Sequence, residues 1–261
     1  SKRSLASVNA GEIEGLTAVL TQVEAESQHE LADKVKAVTD ILKRFNTYGA
    51  VRFTTDPEES AKFWAIRSGI FPTVGGMRKP GTTCLIEDVA FHVEDLAEAV
   101  TDLSDLLDRH GYDDSCIYGH ALEGNFHFII NQAFDSEHEV QRYKDMIGDV
   151  AELVVKKYDG SLKAEHGTGR NMAPYVEYEW GAKAFDVMKR IKSIFDPQNI
   201  LNPGVIFNDD PECCFKNFKA LPVLKPAPEA PEETVKAYAR LNKCIECGFC
   251  EVNCVSCGFT I

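Results

Sequence analysis

The sequence predicts an α+β fold, a ferredoxin-like antiparallel sheet with helices packed on it, followed by a C-terminal cysteine-rich segment. Two observations carry this. Short runs rich in β-branched and aromatic residues alternate along the chain with segments whose apolar residues recur at helical spacing. Helix-start signals then stand in front of those segments, with Ser27 before Glu30, Asp56 before Pro57, and Ser136 before Glu139. A chain of 261 residues that is 44% hydrophobic and 26% charged can bury a sizeable core.

The run LTAVLTQVEA at 16–25 reads as a strand. Ser27 and Glu30 form a capping box for the next helix, in which Leu31, Val35, Val38, Leu42 and Phe45 share a face. AVRFTT at 50–55 reads as a second strand. Asp56-Pro57-Glu58-Glu59 combines an N-cap, a proline at the first helical position and an acidic first turn, and the helix it opens carries Phe63, Trp64 and Arg67. CLIEDVAFHV at 84–93 is a strand, and the helix from about Asp95 to Arg109 repeats Leu96, Val100, Leu103 and Leu107 until Gly111 ends it. SCIYGH and NFHFIIN supply two more extended segments, and the Ser136–Glu139 box opens a helix through Lys157. A further helix from Tyr175 to Phe195 carries Trp180, Ala184, Val187 and Ile191, and Pro197 stops it. Four prolines between Pro222 and Pro231 mark a semi-rigid linker, and a short helix, Glu233 to Leu241, leads into the cysteines. The expected organisation is a domain over 1–210, a proline-rich linker over 211–240 and a cysteine-rich segment over 241–261.

With 28 basic and 41 acidic residues the formal charge is −13, which repels nucleic-acid phosphates and excludes a polyanion partner as the expectation. No apolar run reaches the length of about 18 residues that spans a bilayer, and no charged-then-apolar leader is present. The expectation is a cytoplasmic protein or one peripheral to the inner face of a membrane. The chain opens on Ser1, as an excised fragment would. Of nine cysteines, Cys244, Cys247, Cys250, Cys254 and Cys257 crowd the last eighteen residues, which points to a cofactor in a reducing compartment rather than to disulfides. Cys84 and Cys116 read as small buried hydrophobes, while Cys213 and Cys214 are adjacent and have no obvious partner.

Two motifs carry the chemistry. In GHALEGNFHF, residues 119–128, His120 and His127 flank a tight Glu123-Gly124-Asn125 turn, so two imidazoles on neighbouring extended segments can face each other. A third ligand must come from elsewhere, and AEHGTGR supplies Glu165 beside His166. His120, His127 and Glu165 are read as ligands of a divalent metal, zinc, manganese or iron, with packing or surface roles as the alternative for the histidines. In the tail, Cys244-x2-Cys247-x2-Cys250-x3-Cys254 has the spacing of a partial 4Fe-4S ferredoxin-type segment, in which three thiolates reach one cluster and the fourth cysteine serves elsewhere, so that the cluster is expected to be incomplete here; Val255 stands in place of the usual proline. A zinc knuckle built from four of the five cysteines is the alternative. His29, His92, His110 and His138 stand outside any cluster and read as surface or partly packed residues.

Together with EDVAF at 87–91 and FDPQNILNPG at 195–204, these motifs resemble the C-terminal substrate domain of FAD-linked D-2-hydroxy acid dehydrogenases of the vanillyl-alcohol-oxidase type. The resemblance covers about residues 12 to 207 and then the cysteine segment. Leu122 and Glu123 replace the Gly and Asp of the commoner family pattern, a departure that points to the bacterial subgroup fusing flavin and iron-sulfur modules in one chain. The resemblance implies FAD, bound mainly by a domain preceding Ser1, and a metal that chelates the 2-hydroxyl and carboxylate of a small 2-hydroxy acid. It makes His166 the catalytic base, with orientation of the ligand Glu165 as its alternative role. It matches Arg67 to the substrate carboxylate, the alternative being a surface arginine on an amphipathic helix. Glu87 and Asp88 become neighbours of the site, or else solvated or capping carboxylates. Hydride would pass to the flavin, and electrons through iron-sulfur modules to a quinone or another acceptor. D-lactate and D-2-hydroxyglutarate are the two candidate substrates, and Arg78, Lys79 and Arg170 are eligible for a distal carboxylate. Two other readings stay open: a non-catalytic electron-transfer or zinc-stabilised interaction module whose histidines are structural, and a flavin oxidase using oxygen directly.

Overall fold

The computed structural model describes residues 17–218, 223–245 and 248, and the chain divides into a unit ending at Thr73 and a second beginning at Val74. In the first unit α1 (Gln28–Leu42) starts where its capping box requires: Ser27 Oγ accepts the Glu30 N–H at 3.2 Å, and the Glu30 carboxylate accepts the Glu26 N–H at 3.0 Å. At α2 (Pro57–Ser68) the Asp56 carboxylate accepts the Glu58 N–H at 3.0 Å. The strands expected at 16–25 and 50–55 do not form: residues 17–25 and 50–55 carry no ladder, because an extended run becomes a strand only when a neighbour pairs with it. A third helix, α3 (Ile70–Gly76), straddles the division between the units.

The second unit holds β1 (Thr83–Ala90), α4 (Leu96–Arg109), β2 (Cys116–His120), β3 (Asn125–Gln132) and α5 (Glu137–Glu152). Among the described residues the sheet has three strands in the order β1-β3-β2, each pairing antiparallel. β1 and β2 therefore run parallel with β3 between them, which is the split β-α-β arrangement of ferredoxin-like folds. The register sorts the side chains by face. Leu85, Glu87 and Val89 stand opposite Ile130, Phe128 and Phe126, and Ile117 stands opposite Phe128. The apolar members of this face join Ala99, Leu103, Leu107, Tyr143, Met146, Ile147 and Val150 of α4 and α5 in one core. On the other face, Asp88, His127 and Tyr118 form a row across β1, β3 and β2, with His120 opposite Asn125 one row further on.

Ser136 caps α5 as expected, accepting the Glu139 N–H at 3.3 Å, and the helix runs into a π turn over Leu153–Lys157. The helix α6 (Val176–Phe195) is broken at Gly181, whose φ of 75° and ψ of 159° are not helical. Of the apolar residues it carries, Trp180, Val187 and Ile191 are all more than half exposed. Asp196 then organises the FDPQNILNPG loop by accepting the N–H groups of Ile200 at 2.9 Å and Leu201 at 2.8 Å. Phe215 is buried in the core and Phe218 stacks on Phe134 with ring centroids 3.8 Å apart, so two side chains from the run 211–218 pack against the core. Residues 223–230 carry no helix or strand, as their prolines dictate, and α7 (Glu232–Leu241) follows.

Leu103→Ala removes a fully buried side chain from this core and is expected to cost roughly 2–5 kcal/mol in denaturant unfolding, whereas Val187→Ala on the exposed stripe stays within about 0.5 kcal/mol. Asp196 has its pKa lowered, the Lys192 ammonium being the largest cause and the Ile200 and Leu201 amides adding to it against burial. Its stabilising effect is full above the ordinary carboxylate value and lost as pH falls through the lowered one. Asp196→Asn is therefore expected to lower the unfolding temperature at neutral pH and to shrink its difference from the parent chain in acid, read by thermal melts across pH.

Candidate metal centre

The hairpin joining β2 to β3 is closed by a single 3-10 turn, Ala121–Glu123, followed by Gly124 at φ 67°. A Cβ on Gly124 would sit 2.0 Å from the Phe91 carbonyl oxygen, and its own carbonyl accepts the Phe91 N–H at 2.8 Å, so only glycine fits this turn. Leu122 is 90% exposed, which places that departure from the family pattern outside the packed turn. The turn brings His120 and His127 to one face of the sheet with ring centroids 5.5 Å apart.

Glu165 and His166 arrive on a segment that wraps the free edge of β1. Ser161 exchanges both backbone hydrogen bonds with Ala90 at 2.9 Å, an antiparallel bridge where a fourth ferredoxin-like strand would lie. Side chains on both faces of β1 then hold the segment. On the core face Glu87 accepts from Lys163 Nζ and from Asn171 Nδ2, each at 2.6 Å. On the opposite face Asp88 Oδ2 accepts the N–H groups of Ala164, Glu165 and His166 at 2.9, 2.6 and 2.8 Å.

The result is a convergence on one atom. Glu165 Oε1 lies 3.0 Å from His127 Nε2, 3.3 Å from His120 Nε2 and 3.9 Å from His166 Nε2. His166 stacks on His127 with centroids 4.6 Å apart and planes 1° from parallel. His127 and Asp88 are buried, while the side chains of His120, Glu165 and His166 are between a third and a half exposed, so the cluster has a closed inner side and an open outer one. Asp88, His127, Glu165 and His166 offer donor atoms all within 4.8 Å of one another. Burial lowers the His127 pKa, against the pull of Asp88, and favours the neutral ring. Burial alone would raise Asp88, but the His166 and Glu165 amides outweigh it and hold the carboxylate below its ordinary value. A neutral ring whose Nδ1 faces the Asp88 carboxylate turns a lone pair at Nε2 toward the Glu165 carboxylate, and two acceptors 3.0 Å apart are satisfied by a cation. Nitrogen and oxygen donors of this kind fit a divalent ion such as zinc, manganese or iron.

The structure thus brings together His120, His127, Glu165 and His166 as the sequence led one to expect. Arg67 lies in the last turn of α2, in the other unit. Cys244 is described and exposed, whereas Cys247, Cys250 and Cys254 lie outside the described residues. Arg78 is buried and donates to the carbonyls of Cys244 and Lys79, which removes it from the candidates for a distal carboxylate. The residue sequence reasoning undervalued is Asp88: an acid inside the apolar run CLIEDVAF must find partners if the strand buries it, and that was its signal.

A family model described as FAD linked oxidases, C-terminal domain, matches residues 4–206. The mitochondrial D-lactate dehydrogenase [cytochrome] of Arabidopsis thaliana is 34% identical over 165 residues, covering 62% of this chain and 28% of that protein. Glycolate oxidase subunit GlcD of Bacillus subtilis is 28% identical over 190 residues, covering 72% and 39%. A D-2-hydroxyglutarate dehydrogenase of Stutzerimonas stutzeri is 29% identical over 153 residues, covering 58% and 32%. The matches therefore span between 28% and 39% of the length of these three relatives.

Elemental analysis of the chain purified under metal-replete conditions is expected to lose about one divalent ion per chain when His120→Ala and His127→Ala are combined, with the cysteines left intact. An unchanged metal content in that double variant removes the histidine centre.

Proposed function

The chain belongs to the family of FAD linked oxidases, C-terminal domain, and on that premise we propose that it is the substrate and metal domain of a flavin-dependent D-2-hydroxy acid dehydrogenase. The observation that carries the reading is the meeting of three imidazoles on the Glu165 carboxylate, with one side of the cluster open. The names of these relatives, as dehydrogenases of D-lactate and D-2-hydroxyglutarate and a subunit of glycolate oxidase, have a 2-hydroxy acid in common. D-lactate and D-2-hydroxyglutarate are the candidates here.

A divalent ion held by His120, His127 and Glu165 would supply Lewis-acid polarisation of the 2-hydroxyl, and FAD, held by a further domain of the protein, would accept the hydride. His166 is the member of the cluster suited to take the proton: it is the farthest of the three imidazoles from Glu165, it is partly exposed, and its backbone is fixed by Asp88. Loss of the hydroxyl proton to His166 and of hydride from carbon 2 leaves the 2-keto acid. The planar fork of Arg67 suits a carboxylate and is the group that the resemblance matches to this role, and Arg170 and Lys79 remain the candidates for a second, distal carboxylate. Cys244, Cys247, Cys250 and Cys254 would supply thiolates to a 4Fe-4S cluster, part of an iron-sulfur module incomplete within this sequence, and such a module would supply electron transfer to a quinone or another acceptor. Thiolate ligation of this kind sets the protein in a reducing compartment, the cytoplasm or the inner face of a membrane.

In the complete enzyme, assayed with D-lactate and D-2-hydroxyglutarate against an artificial acceptor, His166→Asn is expected to lower kcat by about 10²–10⁴-fold while the metal content is retained. Turnover at the parent rate, or the absence of activity toward either acid in the metal-loaded parent, rejects the assignment.

A further inference from the structure

Asp88 is fully buried and faces two ways. Oδ2 is saturated by the three consecutive amides of Ala164, Glu165 and His166. Oδ1 lies 3.1 Å from His127 Nδ1, and both atoms are buried without an aligned hydrogen bond, to each other or to anything else. Each is the partner within the other's reach, and a carboxylate can only accept. A small rotation that aligns the two puts the ring proton on Nδ1 and leaves the lone pair on Nε2, the atom that meets Glu165 at 3.0 Å.

We propose that Asp88 is the positioning residue of the metal centre: Oδ1 fixes the tautomer and rotation of His127 while Oδ2 fixes the backbone that presents Glu165 and His166. This rests on the metal reading given above and assigns to one carboxylate the relative placement of ligands from two distant segments. The physical case is the division of labour between the two oxygens: Oδ2 takes the three amides of the segment, and Oδ1 is left with spare acceptor capacity beside His127 Nδ1. From β1, at the edge of the sheet, Asp88 reaches both His127 of β3 and the amides of the Ala164–His166 segment.

The substitution Asp88→Asn separates the two duties. The amide oxygen of asparagine can still accept the loop N–H groups, but its NH₂ then faces Nδ1 and donates to it, so the ring proton is driven to Nε2. Two-bond ¹H–¹⁵N correlation spectra of the metal-free chain read the tautomer directly, and titration with manganese, which thiolates bind poorly, reads the affinity through loss of the His127 ring signals. The parent chain is expected to show His127 as the Nδ1–H tautomer. Asp88→Asn is expected to show Nε2–H and to bind manganese about 10–100-fold more weakly. An Nε2–H ring in the parent chain overturns the proposal, as does a folded Asp88→Asn that keeps either the parent tautomer or the parent affinity. If Asp88→Asn does not fold, the parent tautomer alone decides. A parent chain that shows Nδ1–H but binds no manganese overturns the metal centre, and with it the proposal, by a signature different from a wrong tautomer.

Discussion

A buried carboxylate has to satisfy its oxygens without water, and in this chain that requirement joins the edge of the sheet to the cluster on its open face. Hydrogen bonds to a charged group contribute about 1.5–3 kcal/mol, and leaving such a group buried without them costs more than the bonds return. Asp88 therefore recruits the Ala164–His166 backbone instead of tolerating alternatives. The same contacts cover part of the edge of β1, which would otherwise expose a row of unpaired amides and carbonyls. Closing the sheet and assembling the cluster are in this sense one event.

Strand periodicity makes the arrangement economical. Glu87 and Asp88 are consecutive, so they project to opposite faces, yet both hold the segment from Ser161 to Asn171 because that segment passes around the edge and touches each face in turn. On the core face the Glu87 and Lys163 charges are paired at 2.6 Å and nearly excluded from solvent, so each is a liability without the other. Opposite them the chemistry-bearing atoms gather. Two fixings on two faces leave the segment little freedom to rotate, which is what a ligand set drawn from separate parts of the chain requires.

How much of this was legible in the sequence follows the range of the interactions. Ser27, Asp56 and Ser136 announced their helices because a cap is decided within four residues. The His120–His127 hairpin was legible because Gly124 admits only one kind of turn, and the register then follows from the turn. LTAVLTQVEA and AVRFTT misled because composition states a preference for extension but not the presence of a partner. The apolar residues of α6 recur at helical spacing yet stand largely exposed, because periodicity says which residues share a face and not what meets it. The importance of Asp88 was hidden for a related reason: the amides it holds lie 76 to 78 residues away, and nothing local distinguishes it from Glu87.

The gradient of burial across the cluster bears most directly on function. At the inner end Asp88 and His127 are closed off, and there low dielectric strengthens every oriented contact and fixes which nitrogen is free. At the outer end His120, Glu165 and His166 keep a third to a half of their side-chain surface in solvent, so the proposed site is open to an oxygen ligand on that side. A purely structural set of histidines has no need of that asymmetry, because packing alone is served best by closing both ends. A site that must hold one ligand permanently and exchange another needs one rigid wall and one open wall. The chain supplies the first through a carboxylate on a sheet edge and the second through a glycine-flanked segment, with Gly167 and Gly169 in left-handed conformations immediately beyond His166.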